Sequence, residues 1–150
     1  MKLATALTER ADLQRRIAEL GGRLDDNAKT QEGEKPAEDP AVLLAELDED
    51  VKRLEELVTR INLTNSATKK DGITLTALLS KRDALAKRLE IMRSFLSSAS
   101  RKVDRFTRTE IKIVSSVDVA ALQKECDGYS KELRTLDETV QELNWTTELI

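Results

Sequence analysis

Aliphatic residues recur along most of this chain at alternating spacings of three and four, and that period leaves little choice of fold. Leu3, Ala6, Arg10, Leu13, Ile17, Leu20 and Leu24 form a first seam. Leu44, Leu47, Val51, Leu54, Val58 and Ile61 form a second, with Leu43 and Leu57 widening it. Leu75, Leu78, Arg82, Leu85, Leu89, Met92 and Leu96 form a third. Val119, Leu122, Cys126, Tyr129, Leu133, Leu136, Val140 and Leu143 form the longest. A 3,4 repeat puts one apolar stripe along a helix, and a stripe must be buried against another helix. The pattern therefore predicts an all-α, antiparallel bundle of four long heptad-patterned helices over about residues 3–24, 40–61, 74–98 and 117–144, sharing one core within a single domain, 1–150. Composition agrees: 35% of residues are charged and 3% aromatic, the profile of amphipathic helices packed on aliphatic seams.

The connections read differently. Residues 25–39, DDNAKTQEGEKPAED, have charge without apolar period and predict an exposed, mobile loop. Asp39-Pro40 closes it as a helix start, Asp accepting orphan N–H groups and Pro occupying the first helical position. Residues 62–72 read as a turn-rich connection. Residues 101–116 leave the heptad for a period of two around Ile111 and Ile113, which suggests a β-like connector. A lone strand needs a partner. Three readings stay open: pairing with residues 28–32, pairing with the same segment of a second chain, or a plain extended loop.

Charge is uneven although the net is −3. Residues 27–60 carry 5 basic and 10 acidic side chains, whereas residues 61–117 carry 12 and 5. The basic stretch either packs beside acidic neighbours or offers a surface to an anionic partner. Within it, Arg101, Lys102, Arg105, Arg108 and Lys112 are the candidate anion-binding residues, with Thr107 and Thr109 as further donors. Asp104 and Glu110 dilute the cluster, and Phe106 alone offers a stacking face there, so no nucleic acid is expected as partner. The plainer reading is a solvated connector with internal salt bridges.

The catalytic inventory is thin. The sequence has no histidine, which removes imidazole as base or metal ligand. Cys126 sits on the fourth seam, where a cysteine ordinarily serves as a small core residue. Glu46 and Glu49, with Asp48 and Asp50 beside them, have the helical spacing of a carboxylate metal site. With Leu44, Leu47 and Val51 as the seam, however, Glu46 and Glu49 face water, and none of the four seams carries an inward carboxylate. The expectation is a protein that is not an enzyme and holds no cofactor or metal.

The seam charges Arg10 and Arg82 are the clearest departures from the repeat. A charge at such a position costs stability unless it is paired or reaches solvent, and it can fix register or oligomeric state through a carboxylate partner. Long helices also leave apolar side positions uncovered, and the chain closes on Leu149 and Ile150. Together these predict a homo-oligomer, a dimer by preference, with the terminal apolar residues docked on a neighbouring subunit. No stretch approaches the apolar length of a membrane span, the N-terminal run is interrupted by Arg10, Arg15 and Arg16, and a single cysteine suits a reducing compartment. The expected location is cytoplasmic.

Several strings are more specific than heptads: KLATALTERADLQRRI, NAKTQEGEKPAEDP, RINLTN, TRTEIKIVSSVDVAALQ and QELNWTTELI. In them the chain resembles, over nearly its whole length, a small bacterial family whose members often carry the label septicolysin. The label implies a pore-forming cytolysin. The resemblance brings no catalytic residue to this sequence.

Overall fold

The computed structural model describes residues 1–101 and 111–150. The protein is all-α, with helices α1 (Leu3–Asp26), α2 (Pro40–Ala67), α3 (Leu75–Ser100) and α4 (Val119–Thr146). A two-stranded antiparallel hairpin, β1 (Lys69–Lys70) and β2 (Ile73–Thr74), joins α2 to α3. The chain divides into two compact units. The first comprises Met1–Thr76 and Glu142–Ile150, the second Ala77–Gln141.

In the first unit α1 and α2 run antiparallel. Arg53 Nε lies 2.7 Å from Glu9, Arg16 Nη2 2.8 Å from Asp50, and Arg23 Nη1 3.7 Å from Glu46, a ladder in which one number falls as the other rises. Leu3, Ala6, Leu13 and Leu20 are buried, so the first seam packs as the sequence predicts. The second does not. Leu43, Asp50, Leu57, Ile61 and Thr64 are buried on α2, whereas Leu44 and Val51 are exposed. The stripe facing inward is 43, 47, 50, 54, 57, 61 and 64. It shares Leu47, Leu54 and Ile61 with the expected seam and rotates the rest by one residue. Burying Asp50 looks prohibitive in the sequence, because an isolated carboxylate in an apolar seam is very costly. The long Arg16 side chain reaching across from α1 offsets that cost.

α2 also runs six residues past the expected end at Ile61, to Ala67. The reason lies in the fully buried Thr64. Its Oγ1 donates to Arg60 O at 2.8 Å and accepts from Ile150 N at 3.0 Å. The chain end is stitched further by Leu3 N to Thr147 O at 3.0 Å and Leu149 N to Met1 O at 2.8 Å. Leu149 is therefore buried within its own chain rather than on a neighbouring subunit, whereas Ile150 is exposed. Beyond α2, Asp71 and Gly72 both have positive φ, 52° and 81°, the conformation of a two-residue hairpin turn. Only glycine takes such a φ without cost, and aspartate tolerates it. The region 62–72, expected as an irregular connection, thus holds a helix end and a hairpin.

The loop at 27–39 is exposed at its tip but tied at both ends. The Asn27 side chain donates to Arg23 O at 2.8 Å and accepts from Glu38 N at 2.9 Å, while Arg23 Nε donates to both Glu38 carboxylate oxygens at 3.0 and 3.1 Å. Asp39 Oδ1 accepts from Ala41 N at 2.9 Å, with Pro40 at the first helical position as expected.

In the second unit Leu89, Leu96 and Cys126 are buried together, with Met92, Val119, Leu122, Tyr129 and Leu133 packed against them. Both seams here follow the expected register. Lys81 pairs with Glu132 at 3.0 Å and Arg93 Nη2 donates to Ser130 Oγ at 2.8 Å, while Asp118 Oδ1 accepts from Ala121 N at 3.1 Å and caps α4. Of the expected β-like connector, residues 102–110 lie outside the described residues. Residues 111–116 carry no strand, and neither do residues 28–32.

Candidate interaction surfaces

The sequence-predicted sites are spread over both units. Of the five candidate anion-binding residues, Lys102, Arg105 and Arg108 lie outside the described residues. Arg101 and Lys112 are exposed and have no ion-pair partner among the described residues. Arg82 reaches Asp83 at 2.9 Å and Asp137 of α4 at 3.9 Å. Arg10 is half-buried in the first unit, and its Nε is enclosed with no hydrogen-bond partner among the described residues.

Asp50 corrects the expectation of seams without a carboxylate. It is 5% exposed, its Oδ1 meets Arg16, and its Oδ2 is enclosed without a hydrogen-bond partner among the described residues. No cluster of three or more Cys, Asp or Glu side chains able to share a metal ion stands among the described residues. Glu46 is drawn towards Arg23, and Glu49 is exposed. Cys126 is buried in the apolar cluster of the second unit.

The ionic contacts of the first unit leave their mark on titration. Hydrogen bonds from Arg23 hold the Glu38 carboxyl below the usual range, and the same contact raises Arg23. Hydrogen bonds from Lys2 and from the Met1 ammonium lower Glu148, with Lys2 Nζ 2.7 Å away. The Glu9 hydrogen bond raises Arg53.

Two surfaces stand out that polar-site reasoning misses. The first is a consequence of the rotated seam. With Asp50 turned inward, Leu44 and Val51 stand on the outer side of α2, 55% and 45% exposed, at heptad spacing with half-buried Val58. α2 thus carries two apolar stripes, one spent on α1 and one facing out. The signal was present in the pairs 43/44, 50/51 and 57/58, which cannot all point the same way on a helix. Asp48 and Glu55 flank the outer stripe, Lys52 Nζ binding Asp48 at 2.6 Å. The second surface belongs to the other unit. Two clefts of about 250 and 370 Å³ share Phe95 and Ser98, one extending to Ile91 and the other to Arg101, Ile113 and Val114.

Among the described residues no helix is long and apolar enough to cross a membrane. A model of a family of unknown function, DUF6847, matches residues 10–149. A crystal structure of a functionally unknown conserved protein from Corynebacterium diphtheriae is similar at a TM-score of 0.92 and 45% identity, covering 100% of this chain and 99% of that one. No curated protein matches the chain.

Proposed function

Because the chain belongs to DUF6847, a family whose function is unknown, we propose from its own geometry that it is a non-enzymatic helical interaction protein that self-associates through the outer stripe of α2. The carrying observation is the exposure of Leu44 and Val51 beside a completed inward stripe. Solvent-facing aliphatic residues at heptad spacing on a rigid helix are what helix-on-helix recognition uses. The absence of histidine from the sequence and the burial of Cys126 support a non-catalytic reading. A homo-oligomer, with a dimer as its simplest closed form, is the assembly this surface favours. A cytoplasmic location belongs to the same reading, motivated by a lone cysteine.

The test is sedimentation equilibrium on the wild-type chain and on a Leu44→Glu, Val51→Glu double variant. Both positions are solvent-facing, so helical content and melting should stay near wild type. The variant should sediment as a monomer while the wild type is larger. Equal masses for the two proteins would refute the assignment of α2.

A further inference from the structure

We infer that the outer stripe of α2 docks on the second unit of another copy, at the apolar patch formed by Ile91, Phe95, Ile113 and Val114 and bordered by Arg101. The inference rests on the proposed self-association and names the receiving surface. Ile113 and Val114 are 71% and 75% exposed, and Ile91 and Phe95 are exposed beside the same clefts. Aliphatic and aromatic side chains gathered in this way on a charged protein mark an interaction site rather than scattered surface residues.

Charge decides the occupant. The α2 stripe is edged by Asp48 and Glu55 and lies in a segment, residues 27–60, with twice as many acids as bases. Lys52 already binds Asp48, and Glu55 has no ion-pair partner among the described residues. The patch is edged by Arg101, likewise unpaired among the described residues, and by Glu90, which Lys87 already binds at 3.0 Å, in a segment, residues 61–117, carrying 12 basic and 5 acidic side chains. Stripe on stripe would set acid against acid, and patch on patch would set base against base. Stripe on patch sets opposite signs around an apolar centre, the arrangement that steers association and suppresses wrong partners. A second copy of the chain supplies both surfaces, and so is the occupant. The contact joins two different surfaces. Two such contacts about a two-fold axis close a dimer, whereas a non-closing repeat gives longer assemblies.

The experiment mixes complementary variants. One carries Leu44→Glu and Val51→Glu, with its patch intact. The other carries Ile91→Glu and Ile113→Glu, with its stripe intact. All four positions are exposed, and circular dichroism verifies that both chains are folded. Sedimentation velocity should find each variant monomeric alone, with self-association weakened by roughly 100-fold, the order expected when two anchoring side chains are lost. The mixture should form a 1:1 complex, because one stripe and one patch remain. A second pair, Glu55→Lys and Arg101→Glu, should each weaken assembly alone and restore it in part when mixed. If the patch variant keeps its wild-type mass while the stripe variant becomes a monomer, α2 pairs with α2 and the inference falls, although self-association stands. If the stripe variant keeps its mass, the proposed function falls as well. If the patch variant keeps its mass but loses binding to anionic vesicles shown by the wild type, the patch serves a membrane and the inference falls.

Discussion

The α1–α2 hairpin and the α3–α4 hairpin are written in the same heptad alphabet but fix their registers differently. In the second unit an aliphatic seam interlocks around Cys126, and its one seam charge, Arg82, is a cation that reaches outward to Asp83 and Asp137, while Lys81 pairs with Glu132. In the first unit a carboxylate is built into the seam itself, Asp50, answered by Arg16 from α1. An apolar seam tolerates sliding by a heptad, since one aliphatic layer resembles the next. A buried charge does not, because every slipped register strands it. The same choice turns α2 by one residue and leaves an apolar stripe outside, so register and exposed surface have one cause.

Truncating the seams gives the largest effects. Leu57→Ala in the first unit and Leu89→Ala in the second should each cost about 3 kcal/mol in chemical denaturation, the usual loss for a buried leucine whose site collapses incompletely. If Leu57→Ala costs under about 1 kcal/mol, α2 does not use the inward stripe described above.

Breaking the buried pair comes next. Arg16→Ala leaves the Asp50 carboxylate without its cation and should cost about 2 kcal/mol, below the full penalty for a buried pair because Arg16 is largely exposed. Asp50→Leu should be neutral or stabilising, since hydrophobic replacement of a buried ion pair often is. The pair of results separates register from stability. A destabilising Asp50→Leu would mean that the ion pair itself holds the hairpin together.

Smaller effects sharpen the contrast between pinned and unpinned positions. Gly21 and Gly22 lie inside α1 with nothing within 4 Å of an added Cβ, so they serve no close packing. Gly22→Ala should raise stability by about 0.7 kcal/mol through helix propensity. No gain on thermal melting would contradict a free, exposed helical glycine.

Acid should act on the first unit selectively. Glu38 and Glu148 both have lowered native pKa values, from Arg23 and from Lys2 with the Met1 ammonium. Their contribution is fully present above the ordinary glutamate value of about 4.3 and is lost as pH falls below it, through the lowered native values. Hydrogen exchange should then show the ends of the 27–39 loop and the paired chain ends opening in acid before the α3–α4 cluster. Glu38→Gln and Glu148→Gln should flatten that dependence. Uniform opening of both units would contradict the assignment.

Three of the four seams were legible because, Arg10 and Arg82 apart, their aliphatic residues favour a single stripe. α2 offers two at 43/44 and 57/58, and hydropathy favours the stripe that avoids Asp50. What decides against it is Arg16, some thirty-four residues away, a long-range term that no local period carries. The same holds for the end of α2, set by Thr64 holding Ile150 N. Burial of Leu149 within its own chain likewise depends on contacts across nearly the whole sequence. The hairpin had a local signal in Asp71-Gly72, obscured because its strands are two residues each. The adjacent pairs 43/44, 50/51 and 57/58 signalled a second stripe on α2 but not which of the two faces out, and the Ile91–Phe95 surface had no such signal, since exposure of an aliphatic residue is a property of packing rather than of spacing.

The most direct measurement is the solution mass of the wild-type chain, by light scattering on a sizing column across a range of protein concentrations and at two salt concentrations. An oligomer is expected at both, weakened but not abolished by salt because an apolar centre lies inside the charged rim. A monomer throughout would contradict it.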